Sequence, residues 1–289
     1  MTPFELLEPT SLQEAVGLLD PEDGSVRPVA GGTALMLMMK AGVFAPTRLV
    51  SLQHVESKYS DIALSKDGAL RVGAMTTLSA LERSKEAMAA FPVLAQTLLR
   101  LSNVRVRNVA CVGGALAHGD PHMDLPPVLA ALGAKVSIVG LKGSRDVAVE
   151  ALYTGYYETV LARDELIADV TVPAMAGRKA AYLKMTARSA DDWPALGVAV
   201  AFNADGNRLR DVQLVVSAAT AMVMRLKEAE KILNGGNTDD ATLKRAGDAA
   251  AAEAPIIGDL RGSVAYKREL LRIGVGRAVH QALSGKTTH

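Results

Sequence analysis

Apolar residues along the first 175 positions alternate between short strand-like runs and segments with helical spacing. Ser11 precedes the apolar positions of 12–19 and has Glu14 three residues later, a capping pattern that begins a helix. Runs on either side of Lys66-Asp67-Gly68 predict a β-hairpin. The predicted strands are 26–30, 48–51, 62–64, 70–73 and 134–139. The predicted helices are 12–19, 33–40, 91–101, 124–132 and one beginning at Thr77, with an irregular Gly-rich segment at 103–121.

The pattern changes after a cluster of Pro, Gly and small residues at 173–178, which predicts a domain boundary. Beyond it, strand-like runs cover 180–185, 196–202 and 212–218, with a hairpin turn at Asp205-Gly206-Asn207. Helical patterns then cover 224–233, 243–253 and 265–283. We therefore predict an α+β protein, with one domain at 1–175 and a second at 178–289. A single parallel nucleotide-binding sheet fits this order of elements poorly.

Charge, hydropathy and cysteine content exclude several classes of function. The net charge is +1 with no long basic run, which argues against nucleic acid or a membrane surface as the main partner. Apolar stretches of about ten residues are too short for a membrane span, and residues 1–11 lack a secretory pattern, so we expect a cytoplasmic protein. The single cysteine, Cys111, cannot supply the ligands of an iron–sulfur cluster or a structural zinc site.

The first candidate site is the turn between the strand at 26–30 and the following helix. Its residues are Ala30, Gly31, Gly32, Thr33, Ala34 and Leu35. Glycine lets the backbone approach a ligand closely, and a helix N-terminus favours an anion. The turn lacks the spacing of a dinucleotide fingerprint or a P-loop. Taken alone, a motif this short more often forms a tight structural turn than a phosphate site.

The second candidate is a Gly-Gly turn with small residues after it. It comprises Cys111, Val112, Gly113, Gly114 and Ala117, and Asp124 follows. Two such turns could hold a pyrophosphate between main-chain donors, and small side chains would let a flat ring lie near the backbone. Asp124 could accept hydrogen bonds from ribityl hydroxyls. The alternative is a packing loop of small residues, since a chain with 25 glycines forms Gly-Gly pairs by chance.

In combination these motifs resemble the FAD-binding subunit of the xanthine dehydrogenase and carbon monoxide dehydrogenase family. The first loop is similar to A-G-G-x-x-L. The second is similar to R-N-x-x-T-[IV]-G-G-x-x-[AV]-x-x-x-P-x-x-D-L-P, with Cys111 in place of the usual Thr. Glu165-Leu166-Ile167 matches an E-[LI]-I before a strand, and Tyr182, Lys184 and Arg188 match Y-x-K-x-x-x-R. The resemblance covers almost the whole chain, from about Phe4 to about Leu283.

This resemblance implies a fold and a cofactor. The fold is a vanillyl-alcohol-oxidase (PCMH)-type FAD domain with subdomains at about 1–55 and 56–175, followed by a C-terminal domain with a three-stranded antiparallel sheet and helices. FAD is the expected cofactor of this chain, with Leu166 and Ile167 among the residues that bind it. The Cys111 substitution costs one side-chain hydrogen bond to a phosphate, while the backbone donors remain.

Four further residues have more than one possible role. Trp193, the only tryptophan, lies where some relatives place an aromatic next to the flavin, and the alternative is a domain-interface anchor. Lys184 either approaches the polar edge of the flavin or is a solvated lysine on a hairpin. His118 and His122 have the i, i+4 spacing of a metal pair, but Gly119 and Pro121 between them disfavour the helix, and we expect no metal site.

The family's organisation implies the function. We expect an electron-transfer subunit that works with a small chain carrying [2Fe–2S] clusters and a large chain carrying the molybdenum cofactor. Substrate would react on the large chain, and electrons would pass through this FAD to an external acceptor. No catalytic residue is therefore expected here. The alternatives are a self-contained FAD-dependent oxidase or dehydrogenase of the same domain type, and a non-enzymatic protein with decayed FAD loops, which the intact Gly-Gly pairs oppose.

Overall fold

Three main β-sheets organise the protein in the computed structural model, which describes residues 2–285. The strands are β1 (Glu5–Leu7), β2 (Val26–Val29), β3 (Arg48–Ser51), β4 (Ile62–Leu64), β5 (Leu70–Gly73), β6 (Lys135–Gly140), β7 (Gly143–Ala148), β8 (Tyr153–Gly155), β9 (Glu158–Thr159), β10 (Leu166–Val172), β11 (Lys179–Met185), β12 (Leu196–Asp205), β13 (Arg208–Ser217) and β14 (Met224–Arg225). The helices are α1 (Leu12–Gly17), α2 (Leu35–Lys40), α3 (Leu78–Arg83), α4 (Lys85–Ala90), α5 (Pro92–Arg100), α6 (Val104–Arg107), α7 (Val112–Ala117), α8 (Leu125–Ala131), α9 (Lys227–Leu233), α10 (Asp240–Glu253) and α11 (Val264–Ser284).

The first sheet is parallel and has the order β1-β3-β2. The predicted helix start is confirmed, since the Ser11 side chain accepts a hydrogen bond from the Glu14 amide at 3.1 Å. The Glu14 carboxylate reaches back to the Thr10 amide at 2.9 Å, one residue earlier than a standard capping box. Because α2 carries the chain from β2 to β3, the β2–α2 turn lies at the C-terminal edge of this sheet, where α/β proteins commonly bind ligands.

The second sheet is antiparallel, in the order β4-β5-β10-β6-β7. The predicted hairpin is confirmed, with Ile62 opposite Val72. Strand β10 is the central strand of this sheet and is largely buried. Its first residues, beginning at Leu166, are therefore held rigidly by the strands on both sides. At the far edge, β7 ends at Ala148, and a 3-10 turn at Val149–Ala151 follows.

The segment 103–121, expected to be irregular, contains helices α6 and α7. Asn103 caps α6 by accepting a hydrogen bond from the Val106 amide at 3.1 Å. Helix α7 includes the second Gly-Gly pair, and glycine has low intrinsic helix propensity. Tertiary hydrogen bonds hold its first turn, from the Gly113 amide to the Ala74 carbonyl at 2.8 Å and from the Val112 amide to the Thr76 carbonyl at 3.0 Å. Hydrogen bonds to residues distant in the sequence thus stabilise a helix that the local sequence disfavours.

The third sheet is antiparallel, in the order β11-β12-β13-β14, with α9–α11 after it in the chain. Its three long strands were predicted, and the two-residue β14 adds a fourth. Residues 224–225 were expected to begin a helix, but they pair with Val215 and Val216, and α9 begins at Lys227. The Arg225 side chain explains the shift, because Glu230 and Glu150 hold it beside this sheet.

The second and third sheets share a core through helix α8. Tyr182, Ala199 and Val215 of the third sheet are buried in the same apolar cluster as α8 and the second sheet. A second cluster lies between the other face of the third sheet and helices α9–α11. None of the helices within residues 2–285 combines the length and the apolar character that crossing a bilayer requires.

Candidate functional site

A cavity of about 550 Å³ lies where the first sheet meets the second, and both predicted Gly-Gly turns line it. This volume is in the range of small-molecule and cofactor sites. From the first turn, its lining residues are Ala30, Gly31, Gly32, Thr33, Ala34 and Leu35. From the second turn they are Cys111, Gly113, Gly114 and Ala117, and the start of β10 adds Leu166 and Ile167. The structure thus brings together residues that are far apart in the sequence.

The first turn presents unused backbone donors to the cavity. Gly32 has φ +67°, a conformation that glycine adopts without strain. Within residues 2–285, no group accepts a hydrogen bond from the amides of Gly32, Thr33 or Ala34. These three N–H groups precede α2, where the helix dipole adds a favourable potential for an anion. They can therefore bind phosphate oxygens.

The two turns pack directly on each other at Gly31. A Cβ on Gly31 would lie 2.0 Å from the Val109 carbonyl oxygen, so only glycine fits there. Gly113 is similarly close to Ala74, at 2.6 Å for a built Cβ. Gly114 differs, because no atom lies within 4 Å of its built Cβ, and this side of α7 is open. A ligand can approach the backbone at Gly114, where the chain itself leaves space.

Two arginines that sequence reasoning missed line the same cavity, Arg27 on β2 and Arg163 before β10. Arg27 lies over the Phe44 ring at 5.4 Å, and Arg163 donates to the Glu22 carbonyl oxygen at 3.2 Å. Neither guanidinium forms an ion pair with a carboxylate among residues 2–285. Burial, with a smaller contribution from Arg163, lowers the pKa of Arg27 from its ordinary value. Two cations without a direct ion-pair partner complement an anionic ligand.

Val112, Asp124 and Lys184, also predicted to bind the cofactor, do not line the cavity. The Val112 side chain is buried in the core. Lys184 is neither solvated nor at the cavity: its Nζ lies 2.8 Å from Asp124 Oδ2 and donates to the Arg100 carbonyl oxygen at 2.8 Å. Asp124 Oδ1 accepts from the Tyr182 hydroxyl at 2.7 Å. The pair is a buried clamp between α8 and the third sheet.

Trp193 also lies outside the cavity lining, and its contacts fit the interface alternative. Its ring stacks on His122 with centroids 5.8 Å apart, and the Arg261 guanidinium lies 4.9 Å from its centroid. His122 is held by two carboxylates, Asp120 and Asp259. His118 lines the cavity and contacts the Tyr157 ring edge-on at 5.1 Å. The two histidines therefore face different surroundings.

Comparison with known proteins identifies the two parts of the chain. Residues 2–175 match the FAD binding domain in molybdopterin dehydrogenase, and residues 180–282 match the CO dehydrogenase flavoprotein C-terminal domain. The chain belongs to this family of FAD-binding dehydrogenase subunits. It is 30% identical over 281 residues to the carbon monoxide dehydrogenase medium chain of Afipia carboxidovorans, covering 96% of both chains. It is also 30% identical to the nicotine 6-hydroxylase medium subunit of Paenarthrobacter nicotinovorans, covering 95% of both.

The fold agrees with this assignment. A chain of carbon monoxide dehydrogenase from Hydrogenophaga pseudoflava superimposes with a TM-score of 0.93 at 31% identity, covering 98% of this chain and 99% of that one. A chain of quinoline 2-oxidoreductase from Pseudomonas putida 86 superimposes with a TM-score of 0.90 at 27% identity. The chain is thus an oxidoreductase subunit with an FAD-binding domain. The free amides, the two arginines and the open side of Gly114 fit an elongated dianionic ligand such as FAD.

Cys111 lies in the second turn of the cavity, next to the place where Gly31 packs on this turn. Its Sγ donates to the Val109 carbonyl oxygen at 3.5 Å. Burial raises the pKa of the Cys111 thiol, and the Gly31 backbone amide only partly opposes this. The thiol therefore remains protonated at neutral pH and reacts slowly, since the thiolate is the nucleophile.

We expect alkylation of Cys111 by iodoacetamide to be slow at pH 7, to accelerate as the pH rises, and to be suppressed further by FAD. The pH effect follows from the raised pKa, and the FAD effect follows from the position of the thiol in the cavity lining. Mass spectrometry of the full chain measures it directly, because a single cysteine gives a single adduct. Cys111→Ser is the unlabelled control. Rapid labelling that FAD leaves unchanged would place the thiol outside the FAD site.

Proposed function

We propose that this chain is the FAD-carrying electron-transfer subunit of a multi-subunit molybdenum hydroxylase. It takes electrons from [2Fe–2S] clusters on a small partner chain and passes them to an external acceptor, while a large partner chain carries the molybdenum cofactor. The observation that carries the proposal is end-to-end likeness to proteins named medium chain or medium subunit, which implies further chains. With one cysteine, this chain cannot itself bind an iron–sulfur cluster through thiolates.

We propose that different residues of the cavity bind different parts of FAD. The amides of Gly32, Thr33 and Ala34 bind the pyrophosphate, and Arg27 and Arg163 balance its charge. Gly114 and Ala117 provide a backbone surface that FAD can approach closely, while the packing of Gly31 on the Val109 carbonyl group keeps the two turns together. Leu166 and Ile167 at the start of β10 form an apolar part of the wall.

When bound, FAD supplies the redox chemistry, and the protein supplies binding, orientation and electrostatics. Of the carboxylates in the cavity wall, Glu165 is paired with Arg145 through its Oε2 at 2.7 Å. That hydrogen bond is the main reason why the pKa of Glu165 is lowered, so the carboxylate is a poor proton acceptor. Glu165 is therefore not available as the base for direct oxidation of an organic substrate.

We also propose that the chain divides near residues 175–178 into an FAD domain and a C-terminal domain, with the FAD domain subdivided near residue 55. The positions of the sheets support this division. The first sheet uses strands within 5–51, the second within 62–172 and the third within 179–225.

Purification of the native complex through a tag on this chain tests the proposed function. We expect three polypeptides, with FAD, iron and molybdenum, and flavin reduction by substrate only when all three chains are present. A single polypeptide that contains FAD alone and is reduced directly by a small substrate would contradict the proposal and favour a self-contained oxidase. Separating the chains and repeating the reduction is the control, since the isolated chain should keep FAD but lose its electron supply.

A further inference from the structure

A row of four ionisable side chains crosses from the segment between α7 and α8 to the C-terminal part of the chain. Asp120 and His122 lie between α7 and α8, Asp259 lies in the hairpin after α10, and Lys267 is on α11. His122 Nδ1 lies 2.8 Å from Asp120 Oδ1, and His122 Nε2 lies 2.9 Å from Asp259 Oδ2. Lys267 Nζ lies 2.8 Å from the same Asp259 oxygen. The row thus reads anion, imidazole, anion, cation.

Burial makes this row a specific connection rather than a surface contact. His122 and Asp120 are 6% and 2% exposed, and Lys267 is fully buried. Each ring nitrogen of His122 lies within hydrogen-bond distance of a carboxylate oxygen, so both sides of the ring are held. Lys267 also donates to the Ala218 carbonyl oxygen at 2.8 Å, which anchors the far end of the row. Hydrogen bonds to charged groups of this kind are stronger than neutral ones.

One end of the row holds the wall of the FAD cavity. Asp120 Oδ2 accepts a hydrogen bond from the Tyr157 hydroxyl at 3.0 Å. Tyr157 lines the cavity and has φ +59°, a conformation that costs free energy in a residue other than glycine. Its amide donates to the Gly119 carbonyl oxygen at 3.1 Å, so the residues flanking Asp120 also hold it. The position of this aromatic wall depends on Asp120.

The other end holds two C-terminal segments. The Trp193 ring, in the loop between β11 and β12, stacks on His122 with an interplanar angle of 16°. Asp259 Oδ1 accepts from the Arg261 amide at 2.7 Å, and the Arg261 guanidinium lies over Trp193. His122 therefore contacts both the Trp193 loop and the 259–262 hairpin, and Trp193 contacts both His122 and Arg261.

We infer that His122 is a positioning residue that latches the Trp193 loop and the 259–262 hairpin to the Tyr157 wall of the FAD cavity. The inference rests on the proposed function only in taking the cavity as the place where FAD does its work. Its consequence is that FAD release depends on residues that do not line the cavity. Without the latch, the C-terminal segments and the cavity wall move independently.

The single tryptophan gives a direct readout that needs no activity. We expect the rate of acrylamide quenching of Trp193 emission to rise about twofold in His122→Gln and in Asp259→Asn, because Trp193 is 45% exposed in the latched state. Asp205→Asn is the matched control, since it makes the same change in an exposed ion pair with Arg210 at the β12–β13 turn. This control should quench like the native chain.

The second readout is the rate of FAD release from the loaded full chain, followed by flavin fluorescence after dilution. We expect an increase of about tenfold in His122→Gln and Asp259→Asn and no change in Asp205→Asn. If His122 only stabilised the fold, His122→Gln would lower the unfolding temperature. It would not change the quenching of Trp193 or the rate of FAD release under native conditions. If His122→Gln does not fold, Asp259→Asn carries the test, because its carboxylate is a quarter exposed.

The outcomes separate this inference from the proposed function. Native quenching and native FAD release in both variants would overturn the latch and leave the function intact. A native chain that binds no FAD would contradict the FAD role. The acrylamide experiment on the FAD-free chain would still decide the latch, with raised quenching supporting it and native quenching overturning it.

Discussion

Replacing Gly31 with alanine is expected to lower FAD affinity by on the order of a hundredfold. The added Cβ would lie 2.0 Å from the Val109 carbonyl oxygen, 2.7 Å from its carbonyl carbon and 3.0 Å from the Ala110 Cα. All three atoms are backbone, so no side-chain rotation can relieve the contact. The two turns must separate, and the amides that face the cavity then lose their common geometry. Titration of the refolded chain with FAD, followed by flavin fluorescence, measures the effect.

Two other glycines give the controls for this experiment. Gly17, at the end of α1, has no atom within 4 Å of its built Cβ, and Gly17→Ala should keep native FAD affinity. Gly114 is also open but lies on the cavity wall. Gly114→Ala should therefore fold with native stability and bind FAD more weakly. Native FAD affinity in Gly31→Ala would show that the two turns do not need this close approach.

Local sequence signals were sufficient for the first of the two turns that form this cavity. A strand followed by Gly-Gly, a hydroxyl residue and a helix is encoded within about ten residues, and Gly31 and Gly114 fall in the cavity lining as expected. The resemblance added what spacing could not, namely that two turns some eighty residues apart form one site. The same resemblance predicted the C-terminal sheet, whose long strands are confirmed.

The misses share a physical origin in non-local contacts. Arg27 occupies an ordinary polar position of a short strand, and only packing of the first sheet against the second puts it in the cavity. Lys184 was expected at the flavin or in solvent, but Asp124, sixty residues away, holds it in the interior. Helix α7 forms against the low propensity of its glycines because residues 74–76 accept its first amides. The local pattern of apolar and polar residues does not reveal which distant residues these side chains and amides will contact.

Removing the Lys184 ammonium is expected to destabilise the protein by about 3–5 kcal/mol, because it leaves a buried carboxylate without its cation. The side chains of Lys184 and Asp124 are only 3% and 6% exposed, and their charged atoms are 2.8 Å apart. Urea unfolding of Lys184→Met, compared with the native chain, measures the loss. Lys231→Met is the matched control, since its partner Glu228 and Lys231 itself are 60% and 70% exposed. We expect a change of no more than about 0.5 kcal/mol there.

The pH dependence of the stability that Lys184→Met loses shows whether the buried charge of Asp124 causes the loss. Burial raises the pKa of Asp124, and Lys184 is the main group opposing that rise. In Lys184→Met the folded protein therefore binds a proton on Asp124 more tightly than the unfolded chain does. Stability from such a group is present at low pH and is lost as the pH rises through the folded-state pKa. The deficit of the variant should consequently be smaller at pH 5 than at pH 8.

A second substitution separates the buried charge from lost packing. In the double variant Asp124→Asn, Lys184→Met, the carboxylate is gone while the amide oxygen can still accept from the Tyr182 hydroxyl. The double variant should therefore be more stable than Lys184→Met alone at pH 8, with a coupling free energy above about 1 kcal/mol. Additive losses, equal at pH 5 and pH 8, would mean that Lys184 contributes through its aliphatic stem. In that case the clamp between α8 and the third sheet would be apolar packing rather than an ion pair.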